Sequence, residues 1–193
     1  MVAYKRKDEI IDVSMSIIAE KGIQGLTIKN LANSIGISEP AIYRHYAGKH
    51  EILEALLTKI SIGDNKSSAS PIAQQDDMIS LLSSFFKDKV KTFEANPALA
   101  SVVFAEDLFK NDIELSAIFN KIMQENEQAI QNIIRKGQEK KQIRRDVDPE
   151  SLSVLLLGAF RLTVKKWTNN PAPTKLQSIW KKHFLTVEKL INT

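Results

Sequence analysis

Ala41, Tyr43, Arg44, His45 and Tyr46 gather five side chains suited to nucleic acid within six residues, and Lys49 follows at the next helix start. An arginine can grip guanine O6 and N7 with two parallel bonds, a small apolar group can meet a thymine methyl, and tyrosine hydroxyls suit phosphate oxygens. The set points to recognition rather than bond making. Catalytic groupings do not stand out elsewhere. The three histidines are His45, His50 and His183, and the first two are five apart, off the i, i+4 spacing of paired helical metal ligands. No Gly-rich phosphate loop or nucleophile elbow occurs. Glu106 and Asp107 are adjacent, so a helix turns them to different sides. The expectation is a protein that is not an enzyme and needs no metal or cofactor.

The elements that must position these residues are legible just upstream. Ile28, Leu31, Ala32 and Ile35 fall at i, i+3, i+4 and i+7, one apolar helical face. Thr27 precedes them as an N-cap and Gly36 follows as a stop. Ser38 caps a second helix, with Pro40 in its first turn. Leu26 with Leu31, and Ile37 with Ile42, provide a hydrophobic staple at each start. Small Ala32 allows close approach, and Ile42 closes a small core. Two short helices joined this tightly read as a helix-turn-helix, whose second helix enters a major groove. The candidate DNA-contact set is Thr27, Lys29, Ser38, Glu39, Pro40 and Ala41, continued by Tyr43, Arg44, His45, Tyr46 and Lys49. Thr27, Tyr43, Tyr46 and Lys49 are expected on phosphates. Arg44 and Ala41, with Glu39 or His45, are expected at base edges. The competing reading is a helical hairpin in an ordinary all-α domain, with Tyr43 and Tyr46 as half-buried core.

The stretch from residue 10 to 57 resembles the DNA-binding domain of the TetR family of bacterial transcriptional regulators. The matching residues are Ile10-Ile11, Ile17-Ile18 and Glu20-Lys21-Gly22, then Thr27-Ile28, Leu31-Ala32 and Gly36-Ile37-Ser38. Ile42-Tyr43, His45-Tyr46, Lys49 and Ile52-Leu53 complete the pattern. The resemblance implies a homodimer with two DNA-binding heads and a helical C-terminal domain that binds an inducer. Glu39, Pro40, Tyr46 and Gly48 depart from the commonest family residues, which leaves the operator sequence open.

Composition agrees with a globular DNA-binding protein without proving one. Of 193 residues 43% are hydrophobic, and seven glycines and six prolines argue against disorder. There is no cysteine, so disulfides and thiolate metal sites are excluded and a reducing cytoplasm is expected. No signal peptide or membrane-length apolar stretch is apparent. A net charge of +4 permits nucleic-acid binding. The strongest basic cluster lies outside the head, at Arg135, Lys136, Lys140, Lys141, Arg144 and Arg145. A solvated helix end is its ordinary reading, and a second nucleic-acid surface the other.

The whole chain reads as all-α with about nine helices: a DNA-binding domain over 1–48 and a helical effector-binding and dimerisation domain over 49–193. The expected helices are 8–21, the helix-turn-helix pair, 49–62, 76–95, 98–109, 113–140, 149–168 and 174–191, with a polar loop at 63–75. The helix over 149–168 is apolar on every side and must be covered on every side. Together with 174–191 it is expected to form a two-fold interface with a second copy, with Leu156 and Trp180 at the seam. Completion of a monomer core is the alternative. Phe85, Phe86, Phe104, Phe119 and Met123 could line an apolar effector cavity or simply form core, and Glu106, Asp107 and Arg161 could orient a ligand. The expected protein is a dimeric repressor released from a double-stranded DNA operator by a small apolar or amphipathic molecule. The alternatives are a DNA-binding architectural or partner-regulated protein without an inducer, and a helical interaction module.

Overall fold

The computed structural model describes residues 2–68, 76–104, 109, 112–169 and 174–192. Nine helices run through these residues: α1 Val2–Gly25, α2 Ile28–Ile35, α3 Glu39–Tyr43, α4 Lys49–Ser68, α5 Met78–Ala95, α6 Pro97–Val103, α7 Ile113–Glu139, α8 Pro149–Asn169 and α9 Leu176–Ile191. Among the described residues there is no strand, only an isolated antiparallel bridge between Ile143 and Asn192. The helices fall into two compact units, residues 1–62 with 98–120, and residues 63–97 with 121–193. This division does not follow a 48/49 boundary, because the start of α4 packs with the head.

In the first unit, α1 buries Ile10, Ile11, Met15, Ile17 and Ile18. Ser14 is buried among them and donates to the Ile10 carbonyl at 2.7 Å, which satisfies its hydroxyl. The helical path breaks at Gly22, as expected, although the helix resumes to Gly25. Lys59 of α4 donates to Asp12 of α1 at 2.7 Å. The helix α4 continues to Ser68, so the polar loop expected at 63–75 does not begin at 63. Its remainder, 69–75, lies outside the described residues, as do Glu106 and Asp107.

The second unit is built around Phe86, which is fully buried. Its ring centroid lies 4.9 Å from Trp180, 5.1 Å from Phe160 and 5.4 Å from Phe85. Helix starts follow their caps: the Ser80 N–H donates to Asp77, and the Ser151 N–H to Asp148 ahead of Pro149. Thr163 of α8 donates to the Ala159 carbonyl and meets His183 Nδ1 of α9 at 2.9 Å.

Two members of the basic cluster hold the end of α7 and the turn after it. Arg145 donates to the carbonyls of Gln138 and Glu139 at the close of α7, and Arg144 pairs with Asp146. Ile143 folds back and is fully buried against Gly137. A Cβ on Gly137 would stand 2.6 Å and 2.8 Å from Ile143 side-chain carbons. Gly137→Ala is therefore expected to destabilise by about 1–3 kcal/mol through overpacking, despite alanine's better helix propensity. Urea denaturation should show this loss, and Ile143→Ala in the Gly137→Ala background should cost less than Ile143→Ala alone. Equal costs would place the effect elsewhere.

Candidate nucleic-acid interface

The first helix of the helix-turn-helix forms as its caps dictate. Thr27 has extended backbone, and its hydroxyl accepts from the Asn30 N–H at 3.1 Å. Gly36 adopts φ 78°, ψ 34°, a left-handed conformation that a side chain disfavours. Its N–H and that of Ile37 both return to the Ala32 carbonyl, at 2.9 and 3.0 Å, which closes the end of α2. Leu26, Leu31, Ala32 and Ile42 are buried. Ser38 occupies the N-cap position of α3, but its side chain makes no cap bond, contrary to the sequence expectation.

Burial decides which face α3 presents. Ile42 is 0% exposed and Tyr46 is 6%, whereas Tyr43 is 52% exposed. The sequence expectation put both tyrosines on the outer face; the structure separates them. Tyr46 packs inward with Lys7 Nζ 5.1 Å from its ring centroid. Burial first, then Asp8 and Glu51, raise its phenol pKa. Glu39, Pro40 and Arg44 are exposed beside Tyr43, Ala41 and His45 are half-buried, and Thr27, Lys29 and Ser38 are exposed.

Lys49 is held within the head at the start of α4. Its amine is half-buried and donates to the Ile23 carbonyl at 2.7 Å, so it ties the start of α4 to the end of α1. Burial lowers its pKa. Glu51 accepts from the Ala47 N–H, which organises the same helix start without a side-chain cap at Gly48. Sequence reasoning missed a further link. His50 Nε2 lies 3.5 Å from Asp112 and 3.4 Å from Glu114, so the start of α4 meets the start of α7. No local signal announces a pairing between helices so far apart in the chain. Among the described residues no group of acids and histidines could hold a metal ion.

The body carries two further surfaces. A groove of about 380 Å³ runs between α5 and α9, with Val90, Trp180 and Phe184 on its walls and Lys87 and Lys181 beside them. None of the five aromatic and methionine residues singled out from the sequence lines it. They are divided instead: Phe104 and Phe119 belong to the first unit, and Phe85, Phe86 and Met123 to the second. The second surface is the outer face of α8, where Val154, Leu155 and Leu162 are more than half exposed, with Leu190 of α9 exposed as well. The apolar helix is thus uncovered on one side. Leu156 and Trp180, expected at the seam, are 1% and 4% exposed and serve the subunit's own core.

A helix-turn-helix head with an exposed second helix, followed by a helical body, defines a class of DNA-binding regulators. This chain belongs to the TetR family of bacterial regulatory proteins. Residues 10–56 match the family described as bacterial regulatory proteins, tetR family, and residues 64–190 match the YsiA-like protein C-terminal region. The class D tetracycline repressor of Escherichia coli is 36% identical over 59 residues, which are 31% of this chain and 27% of that protein. The match thus spans about a quarter of that relative. The nucleoid occlusion factor SlmA of Aliivibrio fischeri is 23% identical over 154 residues, 79% of each chain. The ketosteroid regulator KstR2 of Mycobacterium tuberculosis superposes with a TM-score of 0.83 at 17% identity, over 97% of this chain and 95% of that one. FadR of Bacillus subtilis, in complex with stearoyl-CoA, superposes with 0.76 at 20% identity, over 94% and 95%. These two likenesses concern the fold. Among the described residues no helix is long and apolar enough to cross a membrane.

Proposed function

We propose that the protein is a dimeric transcriptional repressor that leaves its operator when an amphipathic molecule binds its body. The observation that carries this reading is the outer face of α3, where Glu39, Pro40, Tyr43 and Arg44 stand free while Ile42 and Tyr46 anchor the helix. In this reading the head, residues 1–48, contacts DNA and residues 49–193 bind effector and partner. Tyr43 and Thr27 meet phosphates, and Arg44 and Ala41 meet base edges. The uncovered side of α8, continued by Leu190, packs on a second copy. The dimer then sets two recognition helices at the spacing of operator half-sites. An effector favours a body conformation with another spacing, and DNA weakens the effector by the same factor.

The aromatic set around Phe86 is filled by Phe160 and Trp180, so this reading assigns the effector to the α5–α9 groove. Val90 and Phe184 suit an apolar body, and Lys87 and Lys181 an anionic head. The stearoyl-CoA held by the FadR neighbour is an amphipathic anion, which supports that chemistry. A second reading has a specific observation behind it. That reading is a DNA-binding architectural or partner-regulated protein without an inducer, and the SlmA relative, matched over 79% of both chains, carries the name of a nucleoid occlusion factor rather than of a repressor.

The test is operator selection followed by salt titration. Arg44→Ala is expected to cost about 1–3 kcal/mol on the selected operator and to relax preference at one position per half-site. Operator release by amphipathic anions favours the first reading. Retention of DNA with every such anion favours the second. No DNA binding by the wild type overturns both.

A further inference from the structure

We infer that Glu39 fixes a cytosine in each operator half-site, its carboxylate accepting from the N4 amino group. The inference rests on the reading of α3 as a recognition helix. Residues at the N-terminal end of such a helix are those that meet base edges. Glu39 is the first residue of α3 and is exposed. Buried Ile42 sets the rotation of the helix, and Glu39 lies one turn before exposed Tyr43, on the same side. Among the described residues the Glu39 carboxylate makes no hydrogen bond or ion pair. It is therefore free to act on whatever the helix approaches.

The chemistry selects one base. A carboxylate is an acceptor only, and a duplex surrounds it with phosphates of its own sign. It stays there without penalty only where a base donor meets it. Guanine offers N7 and O6, both acceptors, and thymine offers O4 and a methyl group. Adenine offers its N6 amino group, but the N7 lone pair stands beside it and repels the second carboxylate oxygen. Cytosine offers its N4 amino group with no acceptor beside it on the major-groove edge. The same charge penalises every other sequence, because an unmatched carboxylate among phosphates is repelled. The head needs that discrimination less for affinity than for selectivity: residues 1–50 hold seven Lys/Arg against five Asp/Glu, a modest attraction for any duplex.

Random-duplex selection with the full-length wild type, Glu39→Gln and Glu39→Ala tests this. The wild type is expected to enrich half-sites with an invariant cytosine, and changing it should weaken binding by roughly 10–100-fold. Glu39→Gln should move the preference at that position to adenine, because an amide pairs with N6 and N7 together. Glu39→Ala should accept all four bases within about threefold and bind random duplex more tightly than the wild type. Melting temperatures of the three proteins, measured alongside, report any purely structural role of this first-turn acid. If both variants enrich the wild-type site with unchanged preferences, Glu39 reads no base and the inference is overturned while the DNA-binding reading stands. If affinity falls equally on every sequence together with the melting temperature, Glu39 only supports the helix, and the inference is overturned again. If the wild type enriches nothing, the reading beneath it fails as well.

Discussion

Replacing Phe86 with alanine is expected to remove about 3–5 kcal/mol of stability. The ring is fully buried and meets Phe85 edge-on, with Phe160, Trp180 and Phe184 tilted around it. Those neighbours come from three helices, α5, α8 and α9, so no one of them can move in to fill the space without breaking its other contacts. The cost joins lost transfer free energy to an unfilled cavity and to aromatic contacts worth about 0.5–1.5 kcal/mol a pair. Against a total stability of about 5–15 kcal/mol, this is a large fraction. Trp180 adds a cost of its own. Among the described residues its indole nitrogen is the one buried side-chain polar atom without a hydrogen-bond partner, so it already carries a desolvation cost. Urea titration should show a lower midpoint with an unchanged slope. A loss below about 1 kcal/mol would mean that the cluster repacks and that Phe86 is not its centre.

Leu155→Glu is the second large expectation, and it acts on assembly rather than folding. Leu155 is 67% exposed on α8, so the subunit itself loses little. At a two-fold seam the substitution occurs twice, once on each copy. Each buried carboxylate costs several kcal/mol, and each 1.4 kcal/mol is a tenfold change in the dissociation constant. Sedimentation at micromolar concentration is expected to show a dimer for the wild type and a folded monomer for Leu155→Glu. Leu156→Glu is the control one residue along. Leu156 is 1% exposed inside its own subunit, so this variant is expected to lose the helical fold itself. A dimer that survives Leu155→Glu would show that the α8 face is not the seam, and a stable wild-type monomer would remove the seam altogether.

The contrast between Leu155 and Leu156 marks the boundary between what the chain states locally and what packing decides. Element order was legible because its signals are short in range. Thr27 and Asp148 cap their helices, Pro149 starts one, and Gly36 takes the left-handed turn, each as its residue type demands. The helix-turn-helix was legible for the same reason, since the spacing of Leu31, Ala32, Gly36 and Ile42 lies within a dozen residues. The phase of a helix was not always legible. A helix apolar on every side, such as 149–168, carries no periodic signal to say which leucine faces inward. Packing within the second unit settled that Leu156 is core and Leu155 is surface. Tyr43 and Tyr46 differ in the same way: Tyr43 closes α3 on its exposed side, and Tyr46, three residues beyond the helix, is buried. Lys49 and His50 depended wholly on the fold. Their partners, the Ile23 carbonyl and the acids Asp112 and Glu114, are brought near by tertiary packing and leave no trace in local sequence. The sequence by itself determined the all-α class, the caps at Thr27 and Asp148 and the chemistry displayed at residues 39–46. Only the tertiary structure decided which of those side chains stand free to act, because exposure depends on neighbours from distant parts of the chain.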